Sequence, residues 1–142
     1  MALKELRPVA SFEMTPLPPY NFELTVHKPL GYHWLNPTEI CHNGTIWTAI
    51  ELASGEPVGL KLKKVGTTDS PKISGKIFSH EKFGSDEERA LLNDVARCLE
   101  LNTDISGFYS MAEHDPIIKR VKADLYGMRC GQHQRLFHNI IR

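Results

Sequence analysis

Through the first half of the chain, apolar and polar residues alternate with a period of about two. "VASFEMTP" sets Ala10, Phe12 and Met14 against Val9, Ser11 and Glu13, which predicts a strand with Phe12 and Met14 turned inward. "TIWTAIELA" places Ile46, Thr48 and Ile50 on one face and Trp47, Ala49 and Glu51 on the other. After the turn "SGEP", "VGLKLKKV" turns Val58, Leu60 and Leu62 inward and its lysines outward. "KISGKIFSH" is a candidate last strand beyond the loop "TTDSPKISG". One apolar and one polar face per strand is the pattern of a half-buried antiparallel sheet. "PLPPYNF" is an extended break. "NFELTVHK" is ambiguous: Phe22, Leu24 and Val26 alternate like a strand, yet Asn21 is a good cap for a short helix.

Near Phe83 the period lengthens to about 3.6, the helical value. "SDEERALLNDVARCLEL" opens with Ser85 as cap and Glu88 three residues on, a capping-box pattern, followed by the stripe Leu91, Leu92, Val95, Cys98 and Leu99. "TDISGFYSMAEH" predicts a shorter helix. Asp115-Pro116 starts another, with Asp115 as cap, Pro116 at the first helical position, the stripe Ile117, Ile118, Val121 and Leu125, and Gly127 as terminator. "GQHQRLFHNIIR" begins one more amphipathic helix, with Leu136, Phe137, Ile140 and Ile141 on one face. Strands followed by helices give an α+β chain, expected as a sheet module over 1–83 and the first helices of an incomplete all-α domain over 84–142.

Composition adds little to this picture, but charge and cysteine usage narrow it. The 142 residues are 41% hydrophobic and 24% charged, enough for a modest core, and the formal net charge is zero. From Lys119 onward six basic residues face one acidic residue, a local +5 that leaves −5 on the rest. A basic end on an acidic body is either a solvated helix face or a weak electrostatic footprint. Three well-separated cysteines fit a reducing compartment better than a disulfide framework. No signal peptide or membrane span is visible, so the expected location is the cytoplasm or nucleoid. Asn43-Gly44 reads as a turn rather than a glycosylation site.

No catalytic constellation stands out. The seven histidines show no helical metal-ligand spacing, the serines and cysteines sit in no nucleophile elbow, and no phosphate-binding glycine loop occurs. No metal and no cofactor is therefore expected. Glu87-Glu88 sits at a helix start, where the dipole explains it. "HKPLGYHWLNP" crowds Tyr32, Trp34, two histidines and Lys28 around a Pro/Gly turn. Either the two aromatics cap the sheet core or the turn touches a planar ligand.

Several stretches, taken in order, resemble the helix-hairpin-helix DNA glycosylases, particularly the 3-methyladenine (alkylbase) group and, more loosely, the 8-oxoguanine glycosylases. "PPYNFELTVHKPLGYHW" is similar to the family's opening, and "NGTIWTAIELASGEPVGLKLKKV" to the strands that follow. "LNDVARCLELNTDISGFYSMAEHDPIIKRVKADLYGMR" resembles its first interdomain helices. The matching features are Asp104-Ile105, Phe108-Tyr109, Asp115-Pro116 and Gly127-Met128-Arg129. "RLFHNIIR" is similar to the next helix of that family.

The resemblance implies a module like one repeat of TATA-binding protein, in which "NFELTVHK" is a short helix. It also implies a role in base-excision repair: flipping a damaged, alkylated base out of duplex DNA and hydrolysing its N-glycosidic bond. The family's chemistry lies in a Leu-Pro-Gly-[Val/Ile]-Gly hairpin and a later catalytic aspartate, and neither occurs here. The hairpin brings backbone N–H groups to a DNA phosphate, and the carboxylate stabilises positive charge on the sugar. These 142 residues alone are expected to be inactive and to contribute at most a pocket wall, at Lys28 and Pro29 with Tyr32 and Trp34 behind them. The missing catalytic domain or a neighbouring chain would cover the last helix. The alternative from another class is a stand-alone, non-catalytic binding or oligomerisation module.

Overall fold

The computed structural model describes residues 5–26, 40–51, 55–82 and 84–129. Five antiparallel strands form one sheet: β1 (Arg7–Met14), β2 (Ile40–His42), β3 (Thr45–Glu51), β4 (Pro57–Lys64) and β5 (Ile73–Ser79). Their spatial order is β1-β5-β4-β3-β2. A short helix α1 (Phe22–Val26) follows β1, and α2 (Ser85–Cys98), α3 (Ser106–Ser110) and α4 (Pro116–Asp124) follow the sheet. The α+β class is thus as the periodicity predicted.

The strands form where alternation is strict. Ile46, Val58, Leu60, Leu62, Ile73 and Ile77 are all at most 1% exposed, whereas Trp47 on the opposite face is 41% exposed. Phe12 and Met14 do turn inward and pack on this core from β1. Gly75 of β5 pairs with Phe12, and a β-carbon there would overlap the Phe12 ring. The glycine makes room for that ring.

The short strand β2 was not foreseen in the alternation. It is created by the turn: Asn43 and Gly44 both have positive φ, 50° and 71°, and close a two-residue hairpin in which His42 pairs with Thr45. Two positive φ values define the turn whose twist matches paired strands, and Asn-Gly adopts it readily.

The ambiguity at "NFELTV" resolves to helix. The Asn21 carboxamide oxygen accepts the Leu24 N–H at 2.9 Å, so the cap prevails over a strand-like alternation only three residues deep. Phe22, Thr25 and Val26 are buried. Helix α2 lies on the apolar face of the sheet, with Leu91, Val95, Cys98 and Leu99 in the same core cluster as the strands.

Two expectations for the helices need correction. The capping box at Ser85 does not form. Gly84 is the cap residue, no side chain caps the helix, and the Glu88 N–H donates to the Gly84 carbonyl at 3.0 Å. The stripe of α4 is also not a buried face: α4 contains no buried residue, Ile117 is 74% exposed and Leu125 39%. Of the stripe, Ile118 and Val121 are half-buried. The Asp115 cap does form, its carboxylate accepting the N–H groups of Ile117 and Ile118 at 2.8 and 3.3 Å.

Candidate functional site

The segment 16–21, which links β1 to α1, has no ladder of its own, so its backbone groups must be satisfied elsewhere. Leu17 N–H donates to the Leu101 carbonyl at 2.8 Å, Tyr20 N–H to Thr68 at 2.9 Å, and Asn21 N–H to Gly127 at 2.7 Å. These bonds draw together the end of α2, the β4–β5 loop and the turn after α4. Arg129 closes the junction.

Arg129 is only 2% exposed. Its Nη1 donates to the carbonyls of Pro19 (3.0 Å) and Gly127 (3.3 Å), and its Nη2 to those of Leu17 (3.3 Å) and Thr103 (3.0 Å). The guanidinium carbon lies 5.4 Å from the centre of the Tyr20 ring. Tyr20 is itself fixed by its hydroxyl, which donates to the Leu99 carbonyl at 2.9 Å. Among the described residues Nε has no hydrogen-bond partner. Burial lowers the Arg129 pKa and raises that of Tyr20 above the ordinary tyrosine range. A planar fork that serves four carbonyls suits arginine and no other side chain.

Beside this node stands an aromatic layer. The Tyr109 and Tyr126 rings stack with centres 5.6 Å apart, and Lys122 Nζ lies 5.7 Å from the Tyr109 ring centre. The Tyr109 hydroxyl accepts the Gly127 N–H at 2.8 Å, and the Tyr126 hydroxyl donates to Asp69 at 2.8 Å. The Asp69 bond raises the Tyr126 pKa. Outside the layer, Ala112, Glu113, Lys119, Lys122, Ala123 and Tyr126 line an open cleft of about 610 Å³.

Chemically, this region is a clamp. The guanidinium is engaged by neutral carbonyls and leaves its planar fork no room for a phosphate. Among the described residues, no three of His, Cys, Asp and Glu come close enough to hold a metal, and no helix is long and apolar enough to cross a membrane. The Cys98 thiol is buried, and burial pushes its pKa up to about 11, so it is a poor nucleophile.

The predicted pocket-wall residues Lys28, Pro29, Tyr32 and Trp34 lie outside the described residues, as does the last predicted helix with Leu136, Phe137, Ile140 and Ile141. By contrast, two of the matching features between 104 and 129 meet at the clamp, through Tyr109 and through Gly127 and Arg129, whereas Asp115 only caps α4. Asp104 accepts the Ser106 N–H at 2.9 Å, which lowers its pKa, and Tyr109, Gly127 and Arg129 bond as above. Sequence reasoning did not single out Thr25 or Tyr20. Their partners are 104 and 79 residues away, and no local pattern records such contacts.

A scan against protein-family models finds no match to the chain, and a search of curated proteins finds no relative. Among solved structures, the 3-methyladenine DNA glycosylase from Archaeoglobus fulgidus is similar in fold, with a TM-score of 0.63 at 18% sequence identity. The superposition covers 88% of this chain and 39% of that one. The chain therefore spans about two fifths of the length of the glycosylase it matches.

Proposed function

We propose that this chain is the N-terminal portion of a base-excision-repair DNA glycosylase of the helix-hairpin-helix superfamily, acting on alkylated bases. The observation that carries the reading is the superposition on a 3-methyladenine DNA glycosylase over 88% of the chain. The features Phe108-Tyr109 and Gly127-Met128-Arg129 support it, because Tyr109, Gly127 and Arg129 meet in one clamp. In this reading residues 1–83 are a module like a repeat of TATA-binding protein, and 84–142 begin the helical glycosylase domain. Damaged duplex DNA is the partner of the full-length enzyme, in the cytoplasm at the nucleoid.

The division of labour follows from the chemistry. Hydrolysis of the N-glycosidic bond needs a carboxylate beside a sugar that develops positive charge, and a flipped base needs an enclosing pocket. Lys28, Pro29, Tyr32 and Trp34 would form one wall of that pocket. The hairpin and the carboxylate would come from residues beyond this sequence. The test is incubation of the 142-residue chain with duplex DNA carrying 3-methyladenine, alongside the polypeptide encoded when the reading frame is followed past codon 142. Base release is expected from the longer polypeptide only. Release by the 142 residues alone, or a downstream frame without a Leu-Pro-Gly-x-Gly hairpin and a following aspartate, overturns the proposal.

A further inference from the structure

The strand registers gather basic and aromatic side chains on the sheet face turned away from the core. Trp47 of β3 pairs with Lys61 of β4, which pairs with Lys76 of β5. The three therefore stand in one row across three adjacent strands, about 4.8 Å apart from one strand to the next. In the neighbouring row, Lys63 pairs with Thr45 and Ser74. Trp47 is 41% exposed, which is unusual for so large an apolar side chain at a strand centre. Lys61 Nζ lies 5.5 Å from its ring centre.

Charge is segregated across the sheet. Helix α2, with Asp86, Glu87 and Glu88 in its first turn, packs on the opposite, apolar face. On the outer face, Lys72 is paired with Glu13 at 3.0 Å. Lys61, Lys63 and Lys76 have no ion pair among the described residues. Among the described residues the sheet thus presents three ammonium groups without an ion pair around one exposed indole, although the whole chain is neutral.

We propose that this outer sheet face binds a single strand of nucleic acid. A base stacks on Trp47, and Lys61, Lys63 and Lys76 take successive phosphates. Base–aromatic stacking is tolerant of sequence, and lysines on a groove or face track a phosphate backbone. A single strand fits better than a duplex, whose bases hide their faces in the helical stack. The contact between Lys61 and Trp47 is an exposed cation–π pair, weak enough to be exchanged for a phosphate. This surface is distinct from base excision, because it needs no lesion and no catalytic residue.

The experiment is a fluorescence titration of the full 142-residue chain with a fluorescein-labelled 15-mer of single-stranded DNA, repeated as salt is raised. Binding is expected to weaken with salt. The K61E/K76E double variant should lose at least about tenfold in affinity at low salt and show a salt slope smaller by about 1.4, from about 0.7 per lost phosphate contact. Trp47→Ala should lose about tenfold, and Trp47→Phe should keep most of the affinity while losing the tryptophan quench. The charge-matched K82E/R89E double variant, at exposed positions around the start of α2, is the control and should stay within about twofold. The proposal is overturned if K61E/K76E binds like the parent chain, if the control falls as far, or if a duplex of the same sequence binds as tightly. Base release from alkylated duplex reports separately on the glycosylase reading, so either can fail alone.

Discussion

The Thr25 hydroxyl accepts the backbone N–H of Arg129 at 3.1 Å, joining residues 104 positions apart in the chain. The same hydroxyl donates to the Asn21 carbonyl at 2.7 Å, one turn back along α1. Thr25 therefore ties the first helix to the last described turn. It is fully buried, so neither bond can be replaced by bulk water. Next to it the Arg129 guanidinium supplies four more bonds, one within its own turn and three to two further segments. The contact between the sheet module and the helices after it is thus mainly polar on this side, whereas α2 makes the apolar contact on the other.

Removing either partner should separate these contributions. Thr25→Val keeps the volume but leaves the Arg129 N–H buried and unpaired, a loss of about 1–3 kcal/mol. Thr25→Ser should restore most of it. Arg129→Met strips the carbonyls of Leu17, Pro19, Thr103 and Gly127 of a charged donor at once, and should cost at least about 3 kcal/mol. Arg129→Lys keeps the charge without the planar fork and should recover less than half of that. Urea unfolding of the four variants gives the order. An Arg129→Met variant as stable as the parent would refute the clamp.

Gly127 is held by two constraints at once. Its φ is +82°, and a β-carbon would meet the Asn21 backbone nitrogen at 2.7 Å and Thr68 Cγ2 at 2.8 Å. Backbone cannot rotate away as a side-chain tip does, so Gly127→Ala should cost at least about 2 kcal/mol. A β-carbon at Gly84 or Gly107 would meet nothing within 4 Å, and neither has a positive φ. Their alanine variants should lie within about 1 kcal/mol of the parent in the same thermal or urea melt.

How much of this was readable in the sequence depended on range. The β3 and β4 strands were legible because Ile46, Val58, Leu60 and Leu62 alternate without interruption and each lies at most 1% exposed. Asp115-Pro116 was legible because a cap acts within three residues. Helix α4 forms with the expected cap, but a stripe such as Ile117, Ile118, Val121 and Leu125 records amphipathicity and not what the apolar face meets. Strand β2 is three residues long and is made by its Asn-Gly turn, too short to show a period. The clamp was not legible, since Arg129 contacts segments that no spacing connects to it. The expected pocket wall at Lys28, Pro29, Tyr32 and Trp34 lies outside the described residues.

The two helix caps give a direct comparison. Ser85 has the pattern of a capping box but sits inside the helix, with Gly84 as the cap and no side-chain bond. Asp115 has the same chemistry and does cap, bonding two N–H groups. Ser85→Ala should change stability by less than about 0.5 kcal/mol, since alanine is the better helix former at a first-turn position. Asp115→Ala should cost about 0.5–2 kcal/mol. Circular dichroism melts of the pair decide it, and equal losses would mean that Ser85 caps in solution.

Alkaline pH should weaken the fold through two buried acids that are neutral when protonated. Burial pushes the Cys98 thiol from an ordinary 9.0 to about 11, and pushes Tyr20 above the tyrosine range. Each holds its proton more tightly folded than unfolded. Between pH 9 and 11 the unfolded chain therefore releases the Cys98 proton while the folded chain keeps it, and the equilibrium moves toward unfolding as pH rises. Stability from this source is complete below about pH 9 and is lost through the folded pKa. The urea midpoint should fall between pH 8 and pH 10.5, and by less in Cys98→Ala, whose lower starting stability does not change the sign of the slope. Tyr20→Phe should flatten the higher end of the curve while also losing the bond to the Leu99 carbonyl. A midpoint that rises with pH over this range, or a Cys98→Ala slope equal to that of the parent, would show that the thiol is not the group that titrates.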